Sequence, residues 1–172
     1  MRRLGMIMAL GTMLGLFGGT VTAAPALARG DGWHFAPAQP FTVPAAFCGF
    51  KVRETFPVNK EYTKLLKTSH GTMITLTTGA LKVSYTNLST GQTITINESG
   101  PSKTTIHPNG SAVFAFKGHT GVVLSPADAK RFGLPTVFVS AGPLTLSVAA
   151  SGRITSLSFH GHILVNISAA LS

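Results

Sequence analysis

A single cysteine, Cys48, stands in 172 residues, so neither an internal disulfide nor a thiolate metal cluster can form. Acidic side chains are almost as scarce, with five Asp and Glu against fourteen Lys and Arg, a formal balance of +9. Charged residues make up only 11% of the chain while hydrophobic types reach 44%, the reverse of a polar disordered protein. The length suits one domain with a tail. No Gly-x-Ser-x-Gly elbow, His-Glu-x-x-His helix or phosphate-cradling glycine loop occurs, which removes the common hydrolase, metalloprotease and nucleotide-binding signatures. The basic residues are scattered, without the Arg-rich run or aromatic-basic repeat of a nucleic-acid binder. No catalytic residue, metal ligand or cofactor site can be named from these patterns, and a non-catalytic role is favoured over an enzyme.

What is present begins with a leader. Arg2 and Arg3 precede an uncharged apolar run from Leu4 to Phe17 and a small-residue stretch to Ala28, the layout of a secretory signal peptide over residues 1–28. The run is shorter than the about 20 apolar residues of a membrane helix, and the following Gly and Thr do not extend it. Cleavage after Ala23 or after Ala28 satisfies the small-residue rule equally well. The expected product is a secreted protein with no integral membrane span. Loss of Arg2 and Arg3 leaves twelve basic residues against five acidic, +7, a charge that attracts acidic cell-surface polymers or anionic head groups.

Residues 29–46 are rich in Pro and Ala without periodicity. Pro37, Pro40 and Pro44 each lack a backbone donor, so this segment reads as an extended arm laid on the domain, pinned by Trp33 and Phe35. Residues 47–172 form the domain proper. There Leu81, Val83 and Tyr85 alternate with Lys82, Ser84 and Thr86, Ile94 and Ile96 with Thr93 and Thr95, and Leu144, Leu146 and Val148 with Thr145 and Ser147. Period two of this kind marks half-buried antiparallel strands, and the turns His70-Gly71, Thr90-Gly91, Asn109-Gly110 and Ser151-Gly152 separate them. The pattern predicts strands near 48–57, 61–68, 72–78, 80–87, 92–99, 103–107, 111–117, 122–125, 136–140, 144–150 and 153–167, the last broken at Gly161. Two helical pieces are expected, Pro126–Phe132 between a Ser125 cap and a Gly133 stop, and Ser168–Leu171. Strands every ten residues or so favour an all-β, antiparallel up-and-down β-barrel of the lipocalin or dirigent kind, since closure removes bare edges. A β-sandwich is the alternative.

The segments Phe47-Cys48-Gly49-Phe50-Lys51-Val52, Asn59-Lys60-Glu61, Thr78-Gly79-Ala80-Leu81-Lys82-Val83 and Ser99-Gly100-Pro101, with the closing Ser168-Ala169-Ala170-Leu171, resemble a group of uncharacterised secreted actinobacterial proteins. The resemblance spans roughly Phe47 to Leu171 and implies a fold rather than a chemistry. It also implies a cysteine just before the final Ala-Ala-Leu, paired with one near the start; here Ser168 stands at that place and Cys48 is left single.

Strand parity puts Glu54 with Phe50, Val52 and Phe56 on the apolar face. A lone carboxylate there is costly unless paired or wet, so these four residues are the candidate ligand-binding set, with Glu54 as a ligand anchor or a general acid at a raised pKa, or else turned outward by a rim bulge or paired with an inward lysine. His160 and His162 lie two apart and project from the polar side, solvated and without metal. Asn87, Asn97, Asn109 and Asn166 each open an Asn-x-Ser triplet, read as turn or strand residues. The function expected is non-catalytic binding of a small apolar or amphipathic molecule, or of an envelope component. The alternatives are a structural or adhesive envelope module with a filled core, and a dirigent- or cyclase-like barrel enzyme.

Overall fold

The computed structural model describes Met13–Leu14 and residues 32–172. Apart from β1 (Met13–Leu14), which lies parallel beside Gly121 and Val122, the expected signal peptide and both expected cleavage points fall outside the described residues. The arm contributes β2 (His34–Phe35) and β3 (Phe41–Val43), then a helical turn α1 (Ala45–Cys48). The domain continues through β4 (Val52–Ser69), β5 (Thr72–Asn87), β6 (Thr93–Asn97), β7 (Ser102–Ile106), β8 (Ala112–Phe116) and β9 (His119–Val123). After α2 (Pro126–Phe132) come β10 (Val137–Ala141), β11 (Leu144–Val148), β12 (Ile154–Phe159), β13 (His162–Asn166) and α3 (Ile167–Ala170). Helix α2 has its expected bounds because Ser125 Oγ accepts from the Asp128 amide and Gly133, at φ 66°, supplies the left-handed stop.

The chain is all-β, and its ladders are antiparallel except at β1. One sheet runs β1-β9-β10-β13; the other runs β12-β11-β8-β7-β5-β4-β2, with β3 also on β4 and β6 also on β5. Neither order returns on itself, so no closed barrel forms among the described residues. The reason lies in β10, whose five residues are all buried: Val137 and Val139 enter one core with Val43, Val52, Leu81, Val83, Tyr85, Ile167 and Leu171. Phe138 enters a second core with Phe114, Phe116, Leu144, Leu146 and Ile154. A strand apolar on both faces needs a layer on each side, and the long β4–β5 hairpin supplies ladders to both halves of its sheet.

The sequence expectation of separate strands at 48–57 and 61–68 gives way to the single strand β4. Its register against β5 shifts between Thr55 and Val58, where Pro57 has no donor to offer. Such an irregularity reverses which side chains face inward: Val52 and Glu54 are buried before it, Glu61 and Thr63 after it. β5 also runs on through Gly79, at φ 155°. A Cβ there would sit 2.0 Å from the Lys60 carbonyl oxygen, a backbone atom that cannot swing away. Gly79→Ala is therefore expected to separate the hairpin at its middle and cost several kcal/mol. A thermal melt of the variant checks this; an unchanged midpoint would show that the close approach is not required.

The arm lies on β4 as expected, but Trp33 and Phe35 do not pin it, being 47% and 58% exposed. It is held instead by ladders from His34 and Phe35 to Thr63 and Tyr62, by Phe41–Val43 against Glu54–Val52, and by Asn59, whose amide bonds Ala38 in both directions at 3.1 and 2.8 Å. Among the described residues no helix is long and apolar enough to cross a membrane.

Candidate functional site

All three glutamates of the chain, Glu54, Glu61 and Glu98, are 0–1% exposed, and they occupy one region of the first core with Tyr85. Glu54 and Tyr85 stand opposite each other on β4 and β5. Glu98 follows β6, fixed by its amide bonding to the Leu81 carbonyl at 2.9 Å. The Tyr85 hydroxyl donates to Glu98 Oε1 at 2.5 Å, and the Gly121 amide on β9 donates to the same carboxyl group. Glu98 is thus the centre of the cluster, with Glu54 and Glu61 each in electrostatic range of a neighbour.

Burial dominates the electrostatics. Desolvation raises the Glu98 pKa from its ordinary 4.5 to about 7, against the lowering effect of the Tyr85 and Gly121 bonds and with a further rise from Glu61. Glu54 is pushed well above the usual carboxylate range, first by burial and then by Glu98, and neither of its oxygens has a hydrogen-bond partner. Tyr85 is raised well above 10 by burial and by the two carboxyl groups. An uncompensated carboxylate in such a place is expensive, so burial favours the protonated form of Glu54, and Glu98 titrates at about 7.

Polarity continues inward of the same sheet as rows of buried hydroxyls. Thr63 pairs with Thr77, Thr77 with Ser102, and Thr75 with Thr104, and all five are buried. The four residues expected to bind a ligand are brought together, but within packing: Val52 belongs to the first core, Phe50 and Phe56 pack against it, and Glu54 is enclosed. A cavity of about 110 Å³ lies elsewhere, lined by Phe47, Val123, Ser125, Asp128, Gly152 and Ile154, below the roughly 300 Å³ at which small-molecule pockets begin. Among the described residues no group of three His, Cys, Asp or Glu side chains is placed to hold a metal ion. The cluster can store and release protons, and its members Glu54, Glu61, Glu98 and Tyr85 are all buried among the described residues.

Sequence reasoning found Glu54 and missed its partners. Glu98 shares even parity with Ile94 and Ile96, and Tyr85 shares odd parity with Leu81 and Val83, so that signal was present. Glu61 was hidden by the register shift at Phe56-Pro57. His160 and His162 are both exposed; the strand breaks between them, and His160 Nε2 lies 2.9 Å from Ser158 Oγ. The Asn-x-Ser triplets at 87, 97 and 109 are Asx turns, each asparagine Oδ1 accepting from the amide two residues on, and Asn166 caps α3.

The two ends of the domain meet at Cys48. Ser168 Oγ donates to Cys48 Sγ at 2.9 Å, and Thr136 Oγ1 bonds the Phe47 carbonyl beside them. Burial pushes the Cys48 thiol up, the Ser168 bond opposes this, and the nearby Glu54 adds to the rise; the thiol stays protonated and unreactive at neutral pH. No protein-family model, curated protein or solved structure matches the chain.

Proposed function

We propose that this chain is a secreted, non-catalytic β domain that binds an anionic component of a cell envelope through its basic exterior. The observation that carries the reading is the placement of charge. With every glutamate withdrawn into the interior, Asp128 is the one acid among the described residues outside the cluster, and it accepts from Ser125 Oγ at 2.6 Å. Exposed Lys and Arg side chains meanwhile include Lys51, Arg53, Lys60, Lys82, Lys103, Lys117, Lys130, Arg131 and Arg153. An excess of exposed positive charge draws in polyanions and repels cationic partners.

The packing of Phe50, Val52, Glu54 and Phe56 supports an exterior site over a small apolar ligand held inside. For the architecture, two apolar cores on opposite faces of the β9–β10 sheet favour stacked sheets, the sandwich alternative, over a barrel. The leader in residues 1–28 supports export, and N-terminal sequencing of the exported chain should begin at Ala24 or Arg29.

The direct test is co-sedimentation with isolated cell envelopes. Binding at about 0.05 M salt should be lost near 0.5 M, where the Debye length falls below about 5 Å. Absence of binding at low salt, or binding insensitive to salt, contradicts the reading.

A further inference from the structure

Three exposed aromatic side chains stand outside both cores: Trp33 just before β2, Phe35 on β2 and Tyr62 on the neighbouring β4. Trp33, Phe35 and Tyr62 are 47%, 58% and 44% exposed. Phe35 on β2 faces Tyr62 on β4 in register, with ring centroids 5.6 Å apart and planes tilted by 57°. The residues of the adjacent rung, His34 and Thr63, turn inward, so the Phe35 and Tyr62 rings are held on the outer face by the pleat itself. Isolated exposed aromatics need no explanation; three together, on an arm already held by its ladders and by Val43, are not required by the fold.

Cations share this face. Lys60 and Lys64 flank Tyr62 at two residues on either side, about 7 Å each along β4. Lys64 pairs with Leu76 and Leu76 with Lys103, which puts Lys103 two strands away, about 10 Å across the sheet. The nearest acid in sequence, Glu61, points into the interior.

We infer that Trp33, Phe35 and Tyr62, with Lys60 and Lys64, form a platform for a linear anionic polysaccharide, a proposal that rests on the reading above and names its ligand class and subsite. Aromatic faces stack on the C–H faces of sugar rings, and the lysines pair with carboxylates of successive residues. Ammonium groups on flexible stems suit a polymer with repeated charge better than one fixed carboxylate would require. A bilayer is disfavoured because the rings lie along the sheet beside Thr78 and Ala80, whereas membrane docking buries an apolar face about 5–10 Å deep.

Trp33 is the only tryptophan of the chain, so its emission reports on the platform directly. Titration with sodium polygalacturonate should shift that emission saturably, and neutral dextran should not. Phe35→Ala, and separately Lys60→Gln with Lys64→Gln, should weaken binding by about tenfold or more while circular dichroism and the melting midpoint stay unchanged. The lysine variant keeps the test alive if Phe35→Ala loosens the arm. Polygalacturonate that co-sediments while Trp33 emission and both variants are unaffected would overturn the platform and leave the basic-surface reading standing. A response to phosphatidylglycerol vesicles but not to polygalacturonate would replace the polysaccharide by a membrane surface. If neither probe binds and envelopes do not sediment the protein either, both readings fall.

Discussion

Ser168→Cys should form a disulfide with Cys48 on export to an oxidising compartment, giving a folded monomer 2 Da lighter than its reduced form with no free thiol. The serine hydroxyl already lies 2.9 Å from Sγ, so a sulfur in its place needs only a small approach to reach the about 2.05 Å bond. Both residues sit on short helical turns tied down by other contacts: α1 through Thr136, and the C-terminus through Asn87 Nδ2 to the Leu171 carbonyl at 2.8 Å and Gln92 Nε2 to the Ala170 carbonyl at 3.1 Å. The bridge would close a loop with a sequence separation of 120, which constrains the unfolded chain by about 4–5 kcal/mol in the chain-entropy model. Half of that would raise the melting midpoint by roughly 5–10 °C for a domain of this size. Intact mass after thiol blocking, with and without reductant, checks the bond. Two blocked thiols in a folded monomer would mean that α1 and α3 do not meet as described.

The second large effect is an inverted pH dependence of stability. The folded protein holds a proton on Glu98 up to pH about 7, whereas the unfolded chain releases it near 4.5. Protonation therefore favours the folded form: the contribution is full below pH about 4.5 and is lost as pH rises through about 7. The displacement corresponds to about 3 kcal/mol, a large share of a typical 5–15 kcal/mol. Glu54, raised well above its ordinary value first by burial and then by Glu98, acts in the same direction. Urea midpoints should be higher at pH 5 than at pH 8, with most of the fall between. Glu98→Gln should remove much of that slope, stabilising the protein at pH 8 and leaving it nearly unchanged at pH 4.5. A midpoint that rises with pH in the parent protein would contradict the cluster.

Much of this was legible in the residues. Helix α2 was readable to the residue because its cap, its stop and its proline are local signals, and strand existence followed from alternation and turns. Glu54 was readable from parity with Val52. What escaped was non-local. The irregularity at Phe56-Pro57 inverts parity along a strand that otherwise looks like two, which concealed Glu61. The burial of Thr63, Thr75, Thr77 and Thr104 was not legible either, because threonine suits a pleated surface on either face. The short run Val137-Phe138-Val139 resembles any buried strand, and only the partners of each face reveal a sheet covered on both sides. Trp33 and Phe35 were seen as significant, but their direction depends on the rung they form with Thr63 and Tyr62.

The account turns on acids that are hidden while the surface is left basic, and three glutamates in the whole chain make that measurable. Side-chain carboxyl carbon NMR, titrated from pH 3 to 9 with Glu54→Gln and Glu98→Gln for assignment, reads each group separately. Glu98 should titrate near pH 7, and Glu54 well above the ordinary 4.5. Midpoints for both at or below about 4.5 would show solvated carboxylates, and the buried cluster with its basic exterior would be wrong.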